Sequence, residues 1–283
     1  MGKEKIFLWH DDVPAAGSGA LPSINPFLLD DGKIHPAVLV IPGGGYGCVC
    51  ERTEGTPIAR KFNELGFHAF VLDYRVSPNR WPAPQLDAMR AMKMIRANAE
   101  KWKVDPEWVA VCGFSAGAHL AGSLGVLCDT LDASAGDAAD DFSYLPDVMI
   151  LCYGVLSFAP WSHLGTQKNL LGERFDSEAA SFSLPENVCE KTPPAFLMHT
   201  IGDATVPFRN SIEFANAMAA HNRPCELALN YWGTHGMLLG KDTLDIVEWP
   251  CQAVNFIATL KALKEDPAYI DRYTGSYQSR QIN

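Results

Sequence analysis

The alternation of apolar runs and helical periodicities predicts an α/β fold with a mostly parallel central sheet and helices on both faces. Three observations carry this expectation. Short apolar runs at residues 37–41, 68–74, 109–112, 148–153, 195–199 and 226–231 are each bounded by Gly, Pro or charge. Helical patterns fall between them. The third run, Val109-Ala110-Val111-Cys112, passes directly into Gly113-Phe114-Ser115-Ala116-Gly117 and then into a small-residue helical stretch. Short continuous apolar runs suit strands covered on both faces, and strand–helix alternation suits parallel pairing. Right-handed crossovers then gather the loops at the strands' C-terminal ends on one rim.

The elements follow in order. Residues 56–65 read as a helix, with Pro57 in the first turn and Gly66 as its stop. Residues 84–101 carry Leu86, Met89, Ala91, Met92, Ile95 and Ala99 at near-helical spacing. Residues 116–127, 208–221 and 245–263 supply the remaining helices. Residues 129–141, rich in Ala, Gly and Asp, read as a surface loop. Residues 156–192 are long and irregular, and connections of that length are usually functional, so a small cap or rim over the site is expected there. The whole of 1–283 reads as one domain containing that insertion.

Composition narrows the function. Hydrophobic residues make up 47% and charged residues 20%, enough apolar content for a sizeable core. The net charge of −10, without a Lys/Arg run, disfavours nucleic acid and anionic membrane as partners. No apolar stretch reaches the roughly 20 residues of a membrane span. The first residues lack the apolar core of a signal peptide, and the eight cysteines are scattered through apolar patterns, so free thiols in a reducing cytoplasm are expected. Cys48 and Cys50 stand two apart, but no second Cys/His pair has zinc-site spacing, so no metal and no other cofactor is expected.

The chemistry centres on Ser115. A bare G-x-S-x-G match recurs by chance as a Gly/Ser turn; a strand before it and a helix after it define a nucleophile elbow, with a helix N-terminus aimed at the hydroxyl. A serine hydroxyl needs a base, and the base needs an acid behind it, in chain order Ser, Asp/Glu, His. Asp203 stands just past the run at 195–199, and His235 stands past the run at 226–231 between Gly233 and Gly236. Each alone reads as a turn former or a solvated bystander; their common order and position past strand ends single them out. His199 lies within a strand, His221 ends a helix and His119 lies one turn into the elbow helix as a packing residue. His163 falls in the insertion, where substrate contact and a plain surface role are equally consistent. Asp176, also in the insertion, is the reserve acid. The glycines after Ile41 and Pro42 leave backbone N–H groups uncovered, and no phosphate-loop pattern fits them. Gly44, Gly45 and Ala116 are therefore the expected oxyanion donors. Tyr46 and Trp81 are expected to contact substrate, because aromatic faces suit sugar rings.

Together the segments IPGGGYG, ERTEGTPIARKFNELGFHAFVLDYRV, APQLDAMRAMKMIR, GFSAGAHLAG, NLLGE, ENVCEKTPPAFLMHTIGDATVPFRNS and WGTHGMLLG resemble the α/β-hydrolase superfamily, and within it the acetyl-esterase branch of acetyl-xylan and feruloyl esterase-like proteins. The resemblance implies the α/β-hydrolase fold, Ser115, Asp203 and His235 as the triad, and the 43–45 loop as oxyanion hole. It also implies hydrolysis of small acyl esters, often acetyl groups on sugars, without a cofactor. Pro42 stands where the hormone-sensitive-lipase group carries His, which favours the acetyl-esterase branch. A serine aminopeptidase or a broader carboxylesterase on the same fold is the alternative, and a non-catalytic hydrolase-like binder is a further one. The 266–283 tail, with Tyr269, Tyr273 and Tyr277, is a candidate for folding back on the body or for pairing subunits in a homo-oligomer.

Overall fold

A computed structural model describes residues 4–10, 13–15, 17, 19, 21–240 and 248–266. Its strands are β1 (Ile6–Phe7), β2 (Ser23–Phe27), β3 (His35–Ile41), β4 (His68–Asp73), β5 (Val104–Phe114), β6 (Met149–Cys152), β7 (Ala195–Thr200) and β8 (Cys225–Asn230). Its helices are α1 (Thr56–Glu64), α2 (Ala83–Ala97), α3 (Ala99–Trp102), α4 (Ala116–Val126), α5 (Leu164–Leu171), α6 (Phe175–Glu178), α7 (Arg209–Ala220) and α8 (Trp249–Glu265). All eight strands form one sheet in the order β1-β2-β4-β3-β5-β6-β7-β8. β3 through β8 run parallel, and β1 and β2 join antiparallel at the β4 edge. This is the α/β-hydrolase architecture.

Alternate side chains of each central strand feed opposite cores. Leu39, Val111, Leu151 and Leu197 face one side, with Met89 and Met92 of α2, Leu120 and Leu124 of α4, and Phe214 of α7. Val40, Cys112, Ile150 and Met198 face the other, with Ile58 and Phe62 of α1 and Trp249 and Phe256 of α8. Each fully buried Val, Leu, Ile or Phe contributes roughly 2 kcal/mol of transfer free energy, which is why these strands are apolar at consecutive positions.

Two expectations need correction. The strand reading missed β1 and β2: one is two residues long, and the other, Ser-Ile-Asn-Pro-Phe, carries a Pro that demotes a strand pattern. The helix at 84–101 divides at Asn98 into α2 and α3. The 129–141 segment lies at the surface with a short 3₁₀ turn at Ala138–Asp141, held to α2 because the Arg90 guanidinium pairs with both Asp137 and Asp140, and Lys93 donates to the Asp140 carbonyl at 2.9 Å. The expected helix at 245–263 appears as α8, and positions 245–247 lie outside the described residues, as do Tyr269, Tyr273 and Tyr277. Between β6 and β7 the chain builds α5, α6 and short 3₁₀ turns from the 156–192 segment. Among the described residues no helix is long and apolar enough to cross a membrane.

Candidate active site

Strand order reverses between β3 and β5: the chain moves outward to β4 on one side of β3, then returns to β5 on the other. The loops after β3 and β5 therefore part at the sheet's topological switch point, where open α/β sheets form a crevice. The first loop is Pro42–Gly47 in sequence and the second is the turn at Ser115. Ser115 sits between β5 and α4 at φ +53°, ψ −117°, a strained conformation for a non-glycine residue. Gly117 is required for the turn to dock: a Cβ there would overlap the Ile41 carbonyl and lie 2.5 Å from Pro42 O.

The serine, the histidine and the acid form one hydrogen-bonded series. Ser115 Oγ lies 3.0 Å from His235 Nε2, and His235 Nδ1 lies 2.7 Å from Asp203 Oδ2. The Nδ1–H donates to the carboxylate, leaving Nε2 to accept from the serine hydroxyl. Asp203 is buried, and its other oxygen accepts the N–H groups of Thr205 at 2.9 Å and Val206 at 2.8 Å. Burial alone raises this carboxyl's pKa, but bonds from His199 and His235 and from the Val206 amide outweigh it and hold the group well below the usual carboxylate range. His199 thus supports the acid: its Nε2 lies 3.0 Å from Val206 O and 3.4 Å from Asp203 Oδ2. The Asp203 turn and the His235 loop meet where a side chain on Gly202 would overlap Gly233 O. Trp249 Nε1 donates to Leu238 O at 2.7 Å and anchors the loop's far end.

The glycine loop lies against the elbow, since a Cβ on Gly43 would be 2.9 Å from Ser115 Cβ. Among the described residues, the N–H groups of Gly44, Gly45 and Ala116 donate to no other protein group. The Gly43 amide is committed: it donates to Glu54 Oε2 at 2.7 Å. Glu54 follows the loop in a turn at Glu51–Gly55, and its Oε1 accepts the Tyr153 hydroxyl at 3.0 Å. The Tyr153 ring stands edge-on to His235 with centroids 5.2 Å apart. Burial raises the Glu54 pKa, opposed by its bonds to Gly43 and Tyr153 and by the nearby His235. Sequence reading missed Glu54 and Tyr153. ERTEG looks like a solvated helix entry, and Tyr153 like the end of an apolar strand.

Tyr46, expected at the rim for substrate contact, lies in the core. Its backbone takes φ +56°, and its ring is fully buried with the hydroxyl donating to His119 Nδ1 at 3.0 Å. His119 Nε2 in turn donates to Phe182 O at 2.9 Å, so the expected packing role of His119 links the core to the 156–192 segment. Trp81 is half-buried and packs edge-on against Phe182, 4.9 Å between centroids. His163 caps α5, where its Nδ1 accepts the Thr166 amide at 3.2 Å and hydroxyl at 2.8 Å. Burial lowers its pKa, the nearby His235 lowers it further, and Asp203 opposes. Asp176 is exposed on α6, whereas Asp203 is the carboxylate at His235. α5 braces the glycine loop from outside: Asn169 Nδ2 donates to Gly45 O at 2.9 Å.

Fold and site together define an α/β hydrolase with a serine at the elbow. The chain matches the BD-FAE family over residues 29–218, and it belongs to that family. A solved structure of an acetyl ester-xyloside bifunctional hydrolase from Caldicellulosiruptor lactoaceticus is 39% identical, superposes with a TM-score of 0.86, and shares 91% of this chain and 96% of that one. Endo-1,4-beta-xylanase B of Butyrivibrio fibrisolvens is 37% identical over 245 residues, 85% of this chain and 38% of that protein. Acetylxylan esterase of Xylanibacter ruminicola is 28% identical over 230 residues, 75% of this chain and 45% of that protein. The chain thus spans less than half the length of these two curated relatives.

Proposed function

We propose that this chain is a serine esterase that removes short acyl groups, acetyl foremost, from carbohydrate or similar small alcohols. The observation that carries the reading is the Ser115–His235–Asp203 series set beneath the undonated N–H groups of Gly44, Gly45 and Ala116. Ser115 Oγ attacks the acyl carbon while His235 takes its proton. The tetrahedral oxyanion accepts from the glycine loop and Ala116, a contribution of roughly 3 kcal/mol per donor. His235 returns the proton to the leaving alcohol, and water repeats the sequence to release the acid. The esterase name of the Xylanibacter relative supports the reaction class, and the acetyl ester and acetylxylan in the names of the Caldicellulosiruptor and Xylanibacter proteins support the acyl group and the alcohol.

The 156–192 segment serves as a fixed cap in this reading, because α5 is bonded to the loop it covers. A reducing, cytoplasmic setting is supported by eight free thiols. The test is p-nitrophenyl ester turnover across acyl lengths, with fluorophosphonate labelling of wild type and Ser115→Ala. Label confined to wild type, and kcat/KM highest for acetyl, is the expected result. Normal turnover by a folded Ser115→Ala protein removes Ser115 as nucleophile. A rate that climbs from C2 to C8 removes the acetyl preference, since each methylene in a fitted pocket is worth roughly 1 kcal/mol or more.

A further inference from the structure

Beyond the serine, on the same rim, lies a cleft of about 930 Å³. Its walls come from residues 157–164 and 175–186 of the segment between β6 and β7, and from the start of α7. Helix α5 touches both this cleft and the glycine loop. Leu164 and Gln167 of that helix face the cleft, whereas its Asn169 bonds Gly45. A helix with its side chains is about 10 Å across; a small alcohol bound at Ser115 does not reach past one, whereas a chain of linked rings does.

The lining is selective. Trp161 is clamped on one side by the Arg209 guanidinium, 4.4 Å from the ring centroid, and Arg209 is itself bonded to Glu213 at 2.8 Å. Phe175 adds a second ring, with the Lys168 ammonium 5.3 Å from its centroid. Asp176 and Glu186 line the cleft too, and among the described residues neither makes an ion pair. Counting lining residues only, the carboxylates of Asp176, Glu186 and Glu213 outnumber the single cation. Fixed aromatic faces beside free carboxylate acceptors suit a ring with C–H faces and hydroxyl edges. They suit neither an acyl chain, which gains nothing from carboxylates, nor an anion, which they repel.

We propose that this cleft is a distal subsite for the glycan of an acylated oligosaccharide, that it prefers neutral sugars to uronate-bearing ones, and that Trp161 is its stacking platform. The proposal rests on the carbohydrate-ester reading above, so the test separates the two. Acetylated methyl xyloside and acetylated xylotetraose are compared in kcat/KM, and unacetylated xylotetraose is titrated against the full chain by NMR. The expected result is a longer-over-shorter rate ratio of at least about tenfold that collapses in Trp161→Ala, with xylotetraose binding to wild type and weakened about tenfold in that variant. Glu186→Lys, a surface change, is expected to raise the relative rate on glucuronate-bearing oligosaccharide about fivefold. A ratio near one in wild type, a ratio unchanged by Trp161→Ala, or the absence of xylotetraose shifts at millimolar sugar overturns the subsite. If neither ester is cleaved, the esterase reading fails, and the titration alone decides the cleft: binding sensitive to Trp161 keeps it, and no binding removes it.

Discussion

The carboxylate of Glu54 joins the Gly43 amide to the Tyr153 hydroxyl, at 2.7 Å and 3.0 Å, so one buried side chain holds both the glycine loop and the ring that abuts His235. A carboxylate accepts at both oxygens, which fits a site offering two donors. Removing it leaves both donors unpaired in a buried place, at about 1–3 kcal/mol each.

Glu54→Ala is expected to lower kcat about 100-fold with KM within about twofold, because loop geometry matters most for the oxyanion. Glu54→Gln retains both bonds once the Tyr153 hydroxyl turns to accept from the amide, and should stay within about tenfold of wild type. Steady-state kinetics on p-nitrophenyl acetate check both. Equal losses in the two variants would refute the positioning role.

Asp203→Asn and His235→Ala are each expected to cut kcat about 10³-fold or more, and the double variant little further, since the three groups act as a unit. Single and double variants measured side by side decide this. Additive losses would mean that the Asp203–His235 bond does not serve the serine.

Gly117→Ala is expected to destabilise the protein by more than about 2 kcal/mol, because the added methyl meets two backbone carbonyls that cannot move independently of β3. Differential scanning calorimetry should place the midpoint about 5 °C or more below wild type. An unchanged midpoint would show that the elbow has room that its geometry denies.

Burial lowers the His119 pKa to about 4, against a partial offset from its bond to Phe182 O. In the unfolded chain the ring takes a proton near its ordinary value of 6.5; in the native core it resists until about pH 4. Its contribution is therefore complete above pH 6.5 and is lost progressively as pH falls from 6.5 towards 4, by about 3 kcal/mol over that window. Urea melts at pH 7 and pH 4.5 should show a smaller acid loss in His119→Gln than in wild type. An identical loss in both proteins would place the acid sensitivity elsewhere.

The parallel strands and the Ser115, Asp203, His235 positions were legible because each depends on a local pattern: an apolar run, a small-residue turn, a polar residue just past a strand end. Glu54, Tyr153 and Tyr46 were not. What makes Glu54 a buried acceptor is the folding back of Gly43, eleven residues earlier, and the approach of Tyr153, ninety-nine residues later, and no immediate neighbour in sequence signals it. Tyr46 follows the glycine loop, where a ring at the rim was expected; a left-handed backbone at that residue turns it into the core instead. The 156–192 segment was marked by its length, but its contact with Gly45 through Asn169 depends on where α5 docks.

That docking has a consequence for engineering. Because Asn169 bonds the carbonyl of Gly45, the outer segment and the donors around the serine form one mechanical part. Transplanting a relative's outer segment to change which alcohol is accepted also resets the aim of those donors. Chimeras should therefore exchange residues 42–47 and 156–192 as a matched pair, and a graft of the outer segment alone should trade turnover for selectivity.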